Sequence, residues 1–152
     1  MKYFMRVFVL MLFINIANGD NVNAKDMNLK NFTIYDIKNL KQPPGLEIKI
    51  SPERDVDIQA VLVNVQITNQ YKESIVIDKK LLILSIWLQK DGKFRPAWSL
   101  PTPEFSRTTL KTGEKFSFSV KIVLDPFNEC QFFVSIFPFL YNRIGIEIRK
   151  NK

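Results

Sequence analysis

From residue 46 to residue 149 the chain alternates apolar and polar positions in short runs. Turn residues separate the runs about every ten residues. The clearest run is Gly113–Leu124, GEKFSFSVKIVL. Phe116, Phe118, Val120, Ile122 and Leu124 share one face; Ser117, Ser119 and Lys121 share the other. A side-chain period of two predicts a β-strand with one buried face. Leu46, Ile48 and Ile50 alternate in the same way, as do Val61, Val63, Val65 and Ile67, and later Ile144, Ile146 and Ile148. Ile75-Val76-Ile77 reads as a short strand. Leu81–Leu88, LLILSIWL, is apolar on both faces apart from Ser85, as in a strand covered on both sides. Asp91-Gly92 then marks a tight hairpin, with Lys93–Trp98 returning.

The breaks are equally legible. Pro43-Pro44-Gly45 ends whatever precedes it, and Pro52–Asp57 reads as a charged turn. Residues 96–107 hold Pro96, Pro101 and Pro103 and read as a loop, because proline cannot donate to a sheet ladder. Asn69–Ser74, Lys111–Glu114 and Asp125–Asn128 are turns, and Pro138 breaks the aromatic run Gln131–Phe137. Residues 20–28 are polar and read as a tail. Residues 29–42 suit a short strand or an irregular lead-in. The whole predicts an all-β fold, a two-sheet antiparallel immunoglobulin-like sandwich of seven to eight strands, over residues 46–152.

In order of features the chain resembles the small bacterial extracytoplasmic immunoglobulin-like sandwiches of the proteinase-inhibitor-like type. In these an early strand ends in a Thr-Asn turn, as Ile67-Thr68-Asn69 does here. A later strand is introduced by a leucine, a glycine turn and alternating aromatics, as in Leu110-Lys111-Thr112-Gly113-Glu114-Lys115-Phe116-Ser117-Phe118. The resemblance implies the architecture and no functional residue. No cysteine pair joins the sheets as in antibody domains, although Trp87 suits a core position on a central strand.

The N-terminus adds a compartment. Lys2 and Arg6 precede the apolar run Val7–Ile14, and small-residue sites follow at Ala17-Asn18-Gly19 and Val22-Asn23-Ala24. This layout predicts a signal peptide over 1–19, with an alternative cut after Ala24. Read through to Ala17, the run covers about half of the roughly 20 residues that a membrane span needs. A secreted or periplasmic product with no membrane insertion is expected. The formal charge of +7 falls to about +5 once Lys2 and Arg6 leave with the leader. That charge is dispersed, which favours an acidic protein partner weakly and speaks against nucleic acid.

Chemistry is constrained by what is missing. The 152 residues contain no histidine and one cysteine, Cys130. No Ser-His-Asp or Cys-His nucleophile can be assembled, and no disulfide can close within the chain. Glu129 beside Cys130 raises a thiol pKa rather than lowering it. Glu104 and Glu114 are the loop carboxylates left for acid–base work, and nothing singles them out. Glu53, Asp55 and Asp57 alternate as calcium ligands could, but Arg54 and the lack of a glycine oppose it. No cofactor or metal is expected. The best binding candidates are Phe94, Arg95, Trp98, Phe105 and Arg107, aromatics and arginines on a proline-stiffened segment. A second aromatic group, Phe132, Phe133, Phe137, Phe139 and Tyr141, leaves Phe133 and Phe137 needing cover from the chain or from a partner. An exported non-enzymatic protein-binding module is therefore expected, with a carbohydrate-binding module as the alternative and a carboxylate hydrolase as the third reading.

Overall fold

The computed structural model describes residues 27–29, 31–55, 59–100, 107–124 and 128–152, with backbone alone for 27, 28 and 98–100. The expected leader, Glu104, Phe105 and most of the expected turn at 125–128 lie outside the described residues. Those residues form eleven strands: β1 (Met27–Leu29), β2 (Phe32–Asp36), β3 (Leu46–Arg54), β4 (Ala60–Asn69), β5 (Ile75–Ile77), β6 (Leu82–Lys90), β7 (Lys93–Leu100), β8 (Thr108–Leu110), β9 (Lys115–Val123), β10 (Glu129–Ile136) and β11 (Arg143–Lys150). One 3-10 turn, Lys79–Leu81, precedes β6. Asp78 caps it by accepting the Lys80 N–H at 2.9 Å.

All strand pairs are antiparallel. One sheet has the order β1-β2-β11-β10-β6-β7, the other β3-β4-β9, and β5 pairs with β8 in a short ribbon. This is an immunoglobulin-like division, with the first, second and fifth main strands (β3, β4, β9) on one side and the third, fourth, sixth and seventh (β6, β7, β10, β11) on the other. The expected class holds. The strand count exceeds the expected seven to eight because short segments also pair. Met27–Leu29, read as the end of a tail and the first residue of the lead-in, is β1. The ambiguous lead-in contains β2, whose Ile34 is buried opposite Ile148.

The core lies between the sheets. In register, Val61 faces Ile122, Val63 faces Val120 and Val65 faces Phe118, all buried. Leu84, Ile86, Phe132, Val134, Ile146 and Ile148 come from the other sheet into the same cluster. Each such side chain contributes about 1.5–3 kcal/mol by leaving water. Gly113–Leu124 is therefore strand β9 with its apolar face in the core, as its period of two predicts. Leu81–Leu88 is less covered than its sequence suggests. Leu82, Leu84 and Ile86 are buried, while Ile83 and Trp87 on the outer face are half-buried.

Two prolines correct the predicted boundaries. Pro52 does not end its strand; β3 runs on to Arg54 with Pro52 buried. Pro96 does not open a loop; it lies inside β7, which continues to Leu100. Both strands are sheet edges, so each proline sits where a missing N–H need not cost a ladder bond. At Pro96 the register slips. Trp87 pairs with Pro96 and Ile86 with Trp98, leaving Ala97 as the extra residue of a bulge. Asp91 (φ 53°) and Gly92 (φ 72°) close the β6–β7 hairpin with the two positive φ values its two-residue turn requires.

Candidate interaction site

Of the residues singled out from sequence, the described side chains of Phe94, Arg95 and Arg107 do not share one surface. Phe94 is half-buried opposite Gln89, and Arg95 is exposed opposite Leu88, both near the tip of the β6–β7 hairpin. As neighbours on a strand they point to opposite faces. Trp98 is placed only by its backbone, opposite Ile86, and Phe105 lies outside the described residues. Arg107 is exposed just before β8, whose Thr108 pairs with Ile77 ahead of β6. From Leu88 back to Leu82 the sheet spans roughly 20 Å, so Arg107 and the Phe94–Arg95 pair stand at opposite ends of β6.

That far end of the sandwich holds four of the five large hydrophobics exposed among the described residues. β10 ends at Ile136, and a cis Phe137–Pro138 bond opens the loop to β11. Main-chain bonds shape the loop: Phe139 N–H donates to Ile136 O at 2.8 Å and Asn142 N–H to Phe139 O at 3.0 Å. Phe137 N–H donates to Leu81 O at 2.8 Å, tying the loop to the start of β6. The loop then presents Phe137 (54% exposed), Leu140 (42%) and Tyr141 (98%) to solvent. Tyr71, 37% exposed, stands beside them. Its ring lies directly over Gly45, which has φ +68° and no Cβ to obstruct it. Between Tyr71 and Phe137 opens a cavity of about 130 Å³, lined mainly by Leu46, Tyr71, Ile75, Leu82, Ile136 and Phe137. Of the five large hydrophobics exposed among the described residues, only Val123 lies away from this end.

Asn69 holds this end together. It is fully buried at the close of β4. Its amide donates to Glu73 O at 2.8 Å and to Leu110 O at 2.9 Å, and its side-chain oxygen accepts the Tyr71 N–H at 2.9 Å. Its own carbonyl accepts the Gly113 N–H at 2.7 Å. The two stretches that carry the sequence resemblance, Thr68-Asn69 and Leu110–Gly113, are thus one clamp. The side-chain donors and acceptor of Asn69 are occupied by the fold, which makes it scaffold.

Phe133 and Phe137 part company. Phe133 is 2% exposed and covered within the chain. Trp87 meets it edge-on at 5.8 Å, the Arg143 guanidinium lies 4.0 Å from its ring centre, and Gly145 beneath leaves room for the ring. Phe137 stays open. Across the same outer face Glu147 binds Arg149 at 2.6 Å and accepts from Gln131 at 3.0 Å. Cys130 is buried, and burial pushes its thiol up to about 12, with Glu147 adding to the effect. The carboxylate acting on it is therefore the cross-strand Glu147, not the adjacent Glu129. Asp55 pairs with Lys121 at 3.2 Å, and the Glu114 carboxylate accepts the Lys111 N–H at 2.8 Å. Glu104 lies outside the described residues.

Sequence reading had Phe137 and Tyr141 in its second aromatic group but missed Tyr71 and Leu140. Tyr71 sits in a polar turn, and only the fold brings that turn against the β10–β11 loop.

The fold and this end define a class: an antiparallel β-sandwich presenting an apolar loop end. No family model matches the chain, and no curated protein matches it either. Among solved structures it is similar to β-glucosidase 3B from Thermotoga neapolitana in complex with glucose (TM-score 0.40, 14% identity, 70% of this chain). It is also similar to β-glucosidase from Kluyveromyces marxianus in complex with glucose (TM-score 0.42, 11% identity, 70% of this chain). The chain spans only 16% of the first and 14% of the second.

Proposed function

We propose that the protein is an exported, non-enzymatic module that binds another protein through the Tyr71–Tyr141 end of its sandwich. One observation carries this reading: Tyr71 and Phe137 are exposed at the rim of an apolar cavity, and Leu140 and Tyr141 are exposed on the same β10–β11 loop as Phe137. Concentrated apolar surface of this kind is costly to leave in water and marks interaction sites. An aromatic or branched side chain of the partner would fill the cavity between Tyr71 and Phe137, with Tyr141 on the same loop adding contact outside it. Exposed Lys72, Lys79, Lys80 and Arg107 outnumber Glu73 and Asp78 nearby, so an acidic rim on the partner suits the site. The absence of histidine supports the non-enzymatic part of the reading, and the N-terminal pattern supports export.

The test is capture of partners from a native envelope extract by the wild-type chain and two double variants. Phe137→Ala/Tyr141→Ala should lose the captured partner, and Phe94→Ala/Arg95→Ala should keep it. The opposite pattern would return the site to the hairpin end. Two exposed tyrosines, flat rings with a polar edge, also favour sugar stacking as the second reading. A glycan array that lights up with the wild type and not with Tyr71→Ala/Tyr141→Ala would select it.

A further inference from the structure

The two larger sheets have four outer edges, and three of them are closed to further strands. β1 pairs with β2 over three described residues. β7 carries Pro96 and a bulge. β3 is sealed by its neighbours in sequence. The Gln42 side-chain amide accepts the Ile48 N–H at 2.8 Å and donates to Ile48 O at 2.8 Å, as a strand would. Leu46 N–H donates to Pro43 O, and Pro52 has no N–H to offer. Such devices protect edges from unwanted pairing.

The fourth edge, β9, lacks them. Asn69 N–H donates to Glu114 O and Leu124 N–H to Gln59 O. Extended through the β4–β9 register, these bonds make 116, 118, 120 and 122 the residues that bond to β4. The N–H and C=O groups of Lys115, Ser117 and Ser119 therefore point away from the sheet, and no partner meets them among the described residues. We propose that this edge takes up an extended segment of a partner protein as the fourth strand of the β3-β4-β9 sheet, and that the segment alternates apolar and acidic residues. Main-chain bonds to Lys115, Ser117 and Ser119 supply the pairing, as in strand addition generally. The alternation follows from the two faces beside β9. On the core side Phe116 is half-buried at the margin, its ring 5.8 Å from that of buried Phe118, and it offers an apolar wall to every second residue. On the solvent side β9 presents exposed Lys115 and Ser117 with no acid on the strand, while Lys121 is already held by Asp55 at 3.2 Å and the Ser119 hydroxyl donates to Asn64 Oδ1. An acidic residue opposite Lys115 is favoured, and a basic one is not. A second copy of the chain would bring its own lysines to the joint.

The probe is a fluorescent peptide of alternating valine and glutamate, titrated against the full chain with anisotropy as readout. Its lysine counterpart is the control. Saturable binding of the acidic peptide is expected, about tenfold weaker for the lysine peptide. Ser117→Pro should weaken it by about tenfold, because the N–H bond to the added strand is lost and the ring obstructs its close approach, while the β4 ladder keeps all of its own. An unchanged unfolding midpoint confirms the latter. Should Ser117→Pro fail to fold, peptides N-methylated at one of two adjacent positions serve instead: methylation on the edge facing β9 abolishes binding and methylation one residue along does not. Tyr141→Ala leaves this binding untouched, which separates it from the site at the sandwich end. No saturable binding, binding indifferent to both blocks, or pairing of two copies through β9 would each overturn the proposal.

Discussion

The two ends of the sandwich are built on different principles. The hairpin end is local. Asp91 and Gly92 turn the chain in two residues, and Lys90 pairs with Lys93 at once. Each feature there depends on residues a few positions away, and each is readable from a short stretch. The other end is assembled from five separate parts of the chain: the Asn69–Ser74 turn, β5, the Lys79–Leu81 turn, β8 and the β10–β11 loop. Asn69 bonds across 41 positions to Leu110 to hold them. Aromatics there are exposed because the loop that carries them is pinned by its backbone, leaving the side chains outside. An end built by distant contacts can present a composite surface that no local motif announces.

The comparison can be broken most directly at Asn69. Asn69→Ala strands the Leu110 and Glu73 carbonyls and the Tyr71 N–H, and should cost about 3 kcal/mol in urea unfolding. A loss below 1 kcal/mol would mean that the clamp does not hold this end. At the hairpin end Cys130, opposite Leu88, is the probe. The folded thiol keeps its proton up to about 12, while an unfolded one titrates from 9.0. The folded state then binds more protons in that window, so stability falls as pH rises above 9.0, by about 1 kcal/mol at pH 10. The difference in unfolding free energy between wild type and Cys130→Ala, followed from pH 8 to 10, should show that slope. Gly92→Ala should cost about 1 kcal/mol through its positive φ alone, since nothing lies within 4 Å of an added Cβ. Its thermal midpoint should drop with partner binding unaltered. Smallest in stability is Tyr141→Ala, within about 0.5 kcal/mol of wild type, yet about tenfold weaker for the partner. If it destabilises strongly instead, Tyr141 belongs to the fold.

Much of the architecture was legible because sheet chemistry is periodic. The alternation in β3, β4, β9 and β11 announced both strand and buried face. Prolines misled the boundaries, since Pro52 and Pro96 break a strand only where their nitrogen faces a neighbour, and neither does here. Edge or interior position is a property of the sheet and cannot be read along one strand. The candidate site was legible in half. Phe137 stood out, with Phe133, as an aromatic needing cover, and Tyr141 only as a member of the same group, whereas Tyr71 and Leu140 carried no signal of their own.

Composition and pattern alone determined an all-β chain, the inward faces of its main strands, and a repertoire without histidine or disulfide. These follow from side-chain chemistry and a period of two, which are local. The tertiary structure decided that Phe133 is sealed by Trp87, Arg143 and Gly145 while Phe137 is open. It joined Thr68-Asn69 to Leu110–Gly113 as one clamp, and among the described residues it left β9 as the long outer edge without a proline, a bulge or a side-chain seal. The physical reason is common to all three: cover, clamping and edge exposure are relations between segments distant in sequence, and they take a value only when the sheets are stacked.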